Sequence, residues 1–160
     1  MNPKLLVHSR PAGGADGLVV SVTPESAGWK FVGFEVYRLT RGARIERETG
    51  DQEVCAVMLS GRADVSFGDK QWRGVGTRLS VFEGTPDAVY APPGGRLVIT
   101  ATGDPCEVAL CSAPAQRGEA PALLPGTGVS AFKRGSGRTE RTIHNILMDD
   151  RPAESLLVTE

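Results

Sequence analysis

The sequence predicts an all-β domain, and three observations carry that prediction. No window of helical length holds an uninterrupted i, i+3, i+4, i+7 apolar repeat, because a Gly or Pro falls inside each one. Short apolar or alternating runs recur between turn residues at a spacing of roughly 8 to 12 residues, the rhythm of a sandwich or barrel. The 20 glycines and 11 prolines are spread along all 160 residues rather than massed in one block, which implies many turns.

The expected strands, in order, are Leu18 to Val22, Phe31 to Leu39, Val54 to Leu59, Ala63 to Phe67, Leu79 to Phe82, Ala88 to Tyr90, Leu97 to Ala101, Glu107 to Cys111, Val129 to Lys133, Arg141 to Leu147 and Ser155 to Val158. Val54 to Leu59 is apolar at every position, a pattern for a strand covered on both faces and therefore central. Ala63, Val65 and Phe67 alternate with Asp64 and Ser66, as a half-exposed strand does, and Gly68-Asp69-Lys70 supplies a reversal into Gln71-Trp72. Thr23-Pro24-Glu25-Ser26-Ala27-Gly28 suits one helical turn, with Thr23 as N-cap, Pro24 at the first position and Gly28 closing it. Ala113 to Gly128, rich in Pro and Gly, should wrap over a barrel already formed. Residues 1–17 are expected to be an N-terminal segment, and 18–160 a single β domain. The apolar pattern of Ser155 to Val158 meets no turn or polar tail before Glu160, which reads as a domain boundary or a truncation.

Composition narrows the function. Forty percent hydrophobic and 23% charged residues are the balance of a globular protein, and 18 Lys+Arg against 19 Asp+Glu leave a net charge of -1. Without a basic field, nucleic acid is not an expected partner. No apolar run reaches the ~18 residues of a membrane span, and Leu5-Leu6-Val7 is too short for a secretory core, so no membrane partner and a cytoplasmic location are expected. Cys55, Cys106 and Cys111 are odd in number and show no framework spacing, so they should be free thiols.

Candidate chemistry is sparse. Two histidines and three cysteines lack the close spacings of a zinc site, and Cys106 and Cys111, five apart on a strand, should face opposite sides. His144 sits in a strand-like run with no visible partner, which suits a structural histidine better than a base or ligand; His8 lies near the N-terminus and carries less still. Glu46 and Glu48 share a strand face and Asp149-Asp150 are adjacent, arrangements read as solvated surface charge before a carboxylate dyad. Lys133, Arg134, Arg138 and Arg141 surround Gly135-Ser136-Gly137 and could grip a sugar-acid carboxylate, although a solvated loop is the simpler reading. Gly126-Thr127-Gly128 and Gly135-Ser136-Gly137 are isolated fragments that make turns; there is neither a phosphate loop nor a G-x-S-x-G elbow. A thiol enzyme using Cys55 or Cys111 is disfavoured because both lie inside apolar runs. The expectation is no catalytic, cofactor-binding or metal residue in this chain.

The Pro92-Pro93-Gly94-Gly95 turn and the Leu59-Ser60-Gly61 strand end resemble a cupin, a double-stranded β-barrel of jelly-roll type with short helical connectors. More specifically, Thr23-Pro24-Glu25-Ser26-Ala27-Gly28-Trp29, Val32-Gly33-Phe34-Glu35-Val36, Ser80-Val81-Phe82-Glu83-Gly84 and His144-Asn145-Ile146-Leu147 resemble the 5-deoxy-glucuronate isomerase family of inositol catabolism, from about Leu18 to Glu160. The resemblance implies the first half of a two-cupin protein. It also implies an aldose-ketose isomerase acting on a sugar acid, a homo-oligomer, and a divalent metal held by an H-x-H pair, a glutamate and a further histidine in the second half. Where a metal cupin carries ligands, this chain has Arg47 to Gly50, Val54, Leu97 and Ala101. The implied role is thus an N-terminal domain lacking the metal site. The alternative is a free-standing metal-free cupin that binds a sugar acid or a protein partner without catalysis.

Overall fold

The computed structural model describes residues 6–10, 16–150 and 153–160; much of the expected N-terminal segment 1–17 lies outside them. Among the described residues the strands are β1 (Leu18–Val22), β2 (Gly33–Leu39), β3 (Arg44–Glu48), β4 (Gln52–Ser60), β5 (Ala63–Phe67), β6 (Lys70–Val75), β7 (Ala88–Ala91), β8 (Arg96–Ala101), β9 (Cys106–Pro114), β10 (Ala122–Leu124), β11 (Ser130–Arg134), β12 (Arg141–Leu147) and β13 (Val158–Thr159). One short helix, α1 (Pro24–Ala27), and two 3-10 turns at Gly126–Gly128 and Gly137–Thr139 complete the elements.

The strands form three sheets, and side-chain parity stacks them. A six-stranded sheet runs β1-β2-β9-β4-β7-β10, a four-stranded one β3-β8-β5-β6, and a three-stranded one β11-β12-β13. Along β4, Val54, Ala56 and Met58 point to one side, where they meet Val65, Phe67, Leu97 and Ile99 of the four-stranded sheet in one apolar core. Cys55 and Val57 point to the other side, where Tyr90, Ile146, Leu147, Leu156 and Val158 form a second core beneath the three-stranded sheet. This period-2 split puts the central sheet between two apolar layers, so β4 is buried on both faces, as its unbroken apolar run requires. The first two sheets face each other as a double-stranded barrel, and the third covers its back.

Local signals act as expected. Thr23 caps α1 by accepting from the Ser26 backbone N–H at 3.2 Å, Ser26 returns a capping-box bond, and Gly28 closes the turn with φ 73°. Gly68 and Asp69 connect β5 to β6 as a two-residue hairpin, with Phe67 opposite Lys70 and φ 58° at Gly68.

Four expectations are corrected. Leu79 to Phe82 is a turn, not a strand: the Ser80 hydroxyl accepts from the Phe82 N–H and the Ser80 carbonyl from Glu83, a local pairing that competes with a ladder. Arg44–Glu48 is a strand absent from the expected set, because four charged residues around Ile45 mask an edge strand that buries only Ile45. Ala122–Leu124, expected to be wrapping loop, pairs with β7 and extends the central sheet. The closing strand shrinks from Ser155–Val158 to Val158–Thr159, because the Ser155 and Leu156 amides donate to the Glu53 carboxylate instead of a ladder.

Candidate functional site

The carboxylate of Glu53, in the second residue of β4, is fully buried on the outer face of the central sheet beside Tyr90. Its Oε1 accepts from the backbone N–H groups of Ser155 at 2.7 Å and Leu156 at 2.6 Å, and its Oε2 from Glu154 N–H at 3.0 Å and the Tyr90 hydroxyl at 2.9 Å. Three consecutive amides so held cannot serve a strand ladder, which is why Ser155 and Leu156 stay outside β13. Burial pushes the Glu53 carboxyl up, but the four donors outweigh it and hold it below the usual carboxylate range. Burial and the neighbouring carboxylate push Tyr90 up. Glu154 in turn accepts from the N–H groups of Gln116 and Arg117 at 3.0 and 2.6 Å. Glu53 therefore buckles a segment about a hundred residues away onto the barrel.

A second ionic group lies where β12 and β13 meet the turn before β7. Arg78, whose side chain is 3% exposed, sends Nη2 to Glu160 Oε1 at 2.5 Å and Nη1 to Glu160 Oε2 at 2.7 Å. His144 Nδ1 is 2.9 Å from the same Oε2, and the His144 and Glu160 backbones exchange two hydrogen bonds of 2.9 and 3.0 Å. Burial raises the Glu160 carboxyl, and the bonds from Arg78 and His144 bring it below its ordinary value. This group borders a cleft of about 600 Å³, lined by Val81, Phe82, Gly84, Thr85, Glu140, Arg141, Thr142, His144 and Glu160. Among its lining side chains Phe82 is unusually exposed for an apolar residue, at 94%.

At the open end of the barrel, Arg47 of β3 pairs with Glu35 of β2 and ties the two barrel sheets together. A cleft of about 210 Å³ there also touches Glu25, Gln52 and Ser112. A Cβ at Gly33 would stand 2.3 Å from the Ser112 hydroxyl oxygen, which would have to rotate away to admit it. Below the rim the barrel is filled. Val54, Leu97 and Ala101, which the cupin resemblance sets at ligand positions, are 1, 1 and 2% exposed within the apolar core. Those side chains offer no donor atoms, so the barrel interior does not fit a metal ion. Among the described residues no group of three or more His, Cys, Asp or Glu is arranged to hold one.

The other weighed residues fall into place around these features. His8 is exposed, whereas His144 has the partner in Glu160 that its sequence context did not show. Glu46 pairs with Arg44 and Arg96, and Glu48 with Arg96, so the two carboxylates are spaced by guanidinium groups rather than coupled as a dyad. Asp149 and Asp150 are exposed. Lys133 bonds Glu140 at 2.9 Å, Arg134 lies over the Phe132 ring at 5.2 Å and Arg141 Nη1 donates to the Thr139 carbonyl at 3.3 Å, so three of the four basic residues are already engaged. Cys106 faces the barrel core and Cys111 the opposite side, as five-residue spacing implies. The ladder register instead sets Cys111 opposite Cys55. Burial raises Cys106 and Cys111 to about 11 and Cys55 well above its ordinary value, which keeps all three protonated near neutral pH. Sequence reasoning missed Glu53, Arg78 and Glu160, because each partner is remote in the chain.

The chain is 48% identical over 147 residues to the 5-deoxy-glucuronate isomerase of Geobacillus thermodenitrificans, covering 91% of this chain and 53% of that protein. It is 37% identical over 145 residues to the Bacillus subtilis 5-deoxy-glucuronate isomerase, with 89% and 53% covered. The chain thus spans about half the length of the curated relatives it matches. Among solved structures, an IolB-like protein from Salmonella typhimurium superposes with a TM-score of 0.87 at 34% identity, over 96% of this chain and 59% of that one. Among the described residues no helix is long and apolar enough to cross a membrane. With a match extending over residues 5–160, the chain belongs to the KduI/IolB family.

Proposed function

We propose that this chain is the first domain of a cytoplasmic, homo-oligomeric 5-deoxy-glucuronate isomerase, and that it serves that enzyme as scaffold. The observation that carries the reading is the filled barrel, in a chain that matches about half of each isomerase. Aldose-ketose exchange moves a proton between neighbouring carbons and stabilises an oxyanion, which needs a base and a positioned electrophile or donors. An apolar interior supplies neither. The charged groups that are buried here, Glu53 and Arg78, spend their hydrogen bonds on the chain itself. The domain's work is to hold a second, catalytic domain, in which a divalent metal would sit.

The test is the protein from its native source. Its intact mass is expected near twice 16.9 kDa, and the purified protein should convert 5-deoxy-glucuronate to 2-deoxy-5-keto-gluconate. A native mass of 16.9 kDa with isomerase turnover by this chain alone would overturn the reading. The same mass without turnover would replace it by a binding role.

A further inference from the structure

The register of β4 against β9 sets up a covalent modification site on the outer face of the central sheet. We propose that Cys55 and Cys111 form an oxidisable dithiol, which a peroxide closes to a cross-strand disulfide within the domain and a dithiol reductant reopens.

Three observations converge on it. First, the two cysteines are direct partners in the ladder, and both side chains pack in the second apolar core, so they leave the sheet on the same face. The Ala115 N–H donates to the Asp51 carbonyl at 2.9 Å, and two steps of two residues along each strand bring the same hydrogen-bonded pairing to Cys55 and Cys111. Residues paired in this way have Cα atoms ~5.5 Å apart, within the ~4.4 to ~6.8 Å that a disulfide spans. Their Cβ atoms, ~4.5 to ~5.5 Å apart where a disulfide averages ~3.8 Å, must draw together, which makes the closed bond easier to reduce. Second, access is graded. Tyr90, Cys55, Cys111 and Phe34 stand in one row across the outer face, from β7 to β2. Tyr90 and Cys55 are fully buried, Cys111 is half-buried and Phe34 is 37% exposed, so an oxidant meets Cys111 first. Third, Cys106, the remaining cysteine of the chain, faces the barrel core on the other side of the sheet and does not compete.

The chemistry balances with one peroxide. The Cys111 sulfur attacks a peroxide oxygen, the O–O bond breaks, and Cys111 becomes a sulfenic acid while its proton leaves with the released water or alcohol. The Cys55 sulfur then attacks the Cys111 sulfur, the S–O bond breaks, and hydroxide departs with the Cys55 proton as water. Burial holds both thiols protonated near neutral pH, so the first step is slow and calls for an excess of peroxide.

Thiol labelling of the protein from its native source tests this, with iodoacetamide as the probe and the cysteine-containing peptides as the readout. In the untreated native protein Cys111 should be alkylated at least about 10-fold faster than Cys55. After hydrogen peroxide, followed by alkylation in denaturant, labelling of Cys55 and Cys111 should fall about 10-fold, a peptide joining the two should appear, and Cys106 should label as before. Dithiothreitol should restore the labelling. Cys111→Ala, at a half-buried site, should leave Cys55 labelled after the same peroxide treatment. The inference is overturned if Cys111 labels no faster than Cys55, or if Cys55 stays free, whether or not Cys111 runs on to sulfinic or sulfonic acid. A cross-link that joins different chains or any other cysteine, or that forms only in denaturant, also overturns it, as does loss of Cys55 labelling in Cys111→Ala. None of these readouts depends on isomerase activity, so the dithiol and the scaffold reading stand or fall separately.

Discussion

Glu53→Ala is expected to destabilise the protein by about 4 kcal/mol, enough to release residues 154–156 and expose the second apolar core. Removing one partner of a buried, hydrogen-bonded charge strands the others, and four donors lose their acceptor here: three backbone N–H groups and the Tyr90 hydroxyl. Tyr90→Phe removes a single bond and should cost about 1 kcal/mol. Glu53→Gln keeps the shape but turns one acceptor into a donor that faces N–H groups, so its cost should fall between these. The pH dependence has a definite sign. A carboxyl held below its ordinary value in the folded state contributes stability that is fully present above the unfolded value of about 4.3 and is lost as pH falls through the folded value. Denaturant midpoints measured at pH 7 and pH 3 should therefore converge for the parent and Glu53→Gln. Equal differences at both pH values would remove Glu53 as the acid-sensitive buckle.

Arg78→Ala is the second large effect, expected at about 3 kcal/mol. It leaves the Glu160 carboxylate, only a quarter exposed, without its forked partner, and removes the donors that reach Met58 and Val81 carbonyls. Arg78→Lys should recover little, since an ammonium cannot make the two parallel bonds. Arg78→Met combined with Glu160→Met should be far milder than either loss alone, because no charge is then stranded. Thermal unfolding of the parent, Arg78→Met, Glu160→Met and the double variant measures this coupling. Additive losses in the double variant would mean that the two side chains do not act as a pair.

Much of the frame was legible from local pattern. The apolar run of β4 implied cover on both faces, the Thr23-Pro24 cap implied one turn of helix, and Gly68-Asp69 implied a hairpin; each depends on residues adjacent in the chain. The family motifs likewise sit in short contiguous stretches. What escaped is non-local. Glu53 looks like the polar lead-in to a strand until residues 154–156 are placed upon it, and Arg78 looks like one more exposed cation until Glu160 reaches it. The Leu79 to Phe82 run is apolar enough for a strand, yet a serine hydroxyl turns it and leaves Phe82 in water. The pairing of Cys55 with Cys111 follows from ladder register, which spacing alone does not give. Buried charge in this domain therefore marks where distant segments are fastened. On the proposed scaffold reading, it does not mark where bonds are made and broken.

That distinction is tested most directly at the barrel mouth, the place where a chemical role for this domain would have to show itself. In the full-length isomerase that the scaffold reading proposes, Glu35→Gln with Arg47→Met removes both halves of the mouth ion pair and strands no charge. If this domain is a scaffold, kcat/KM for 5-deoxy-glucuronate stays within about 3-fold of the parent protein. A fall of about 100-fold or more in a protein that remains folded would contradict it and place part of the chemistry in this barrel.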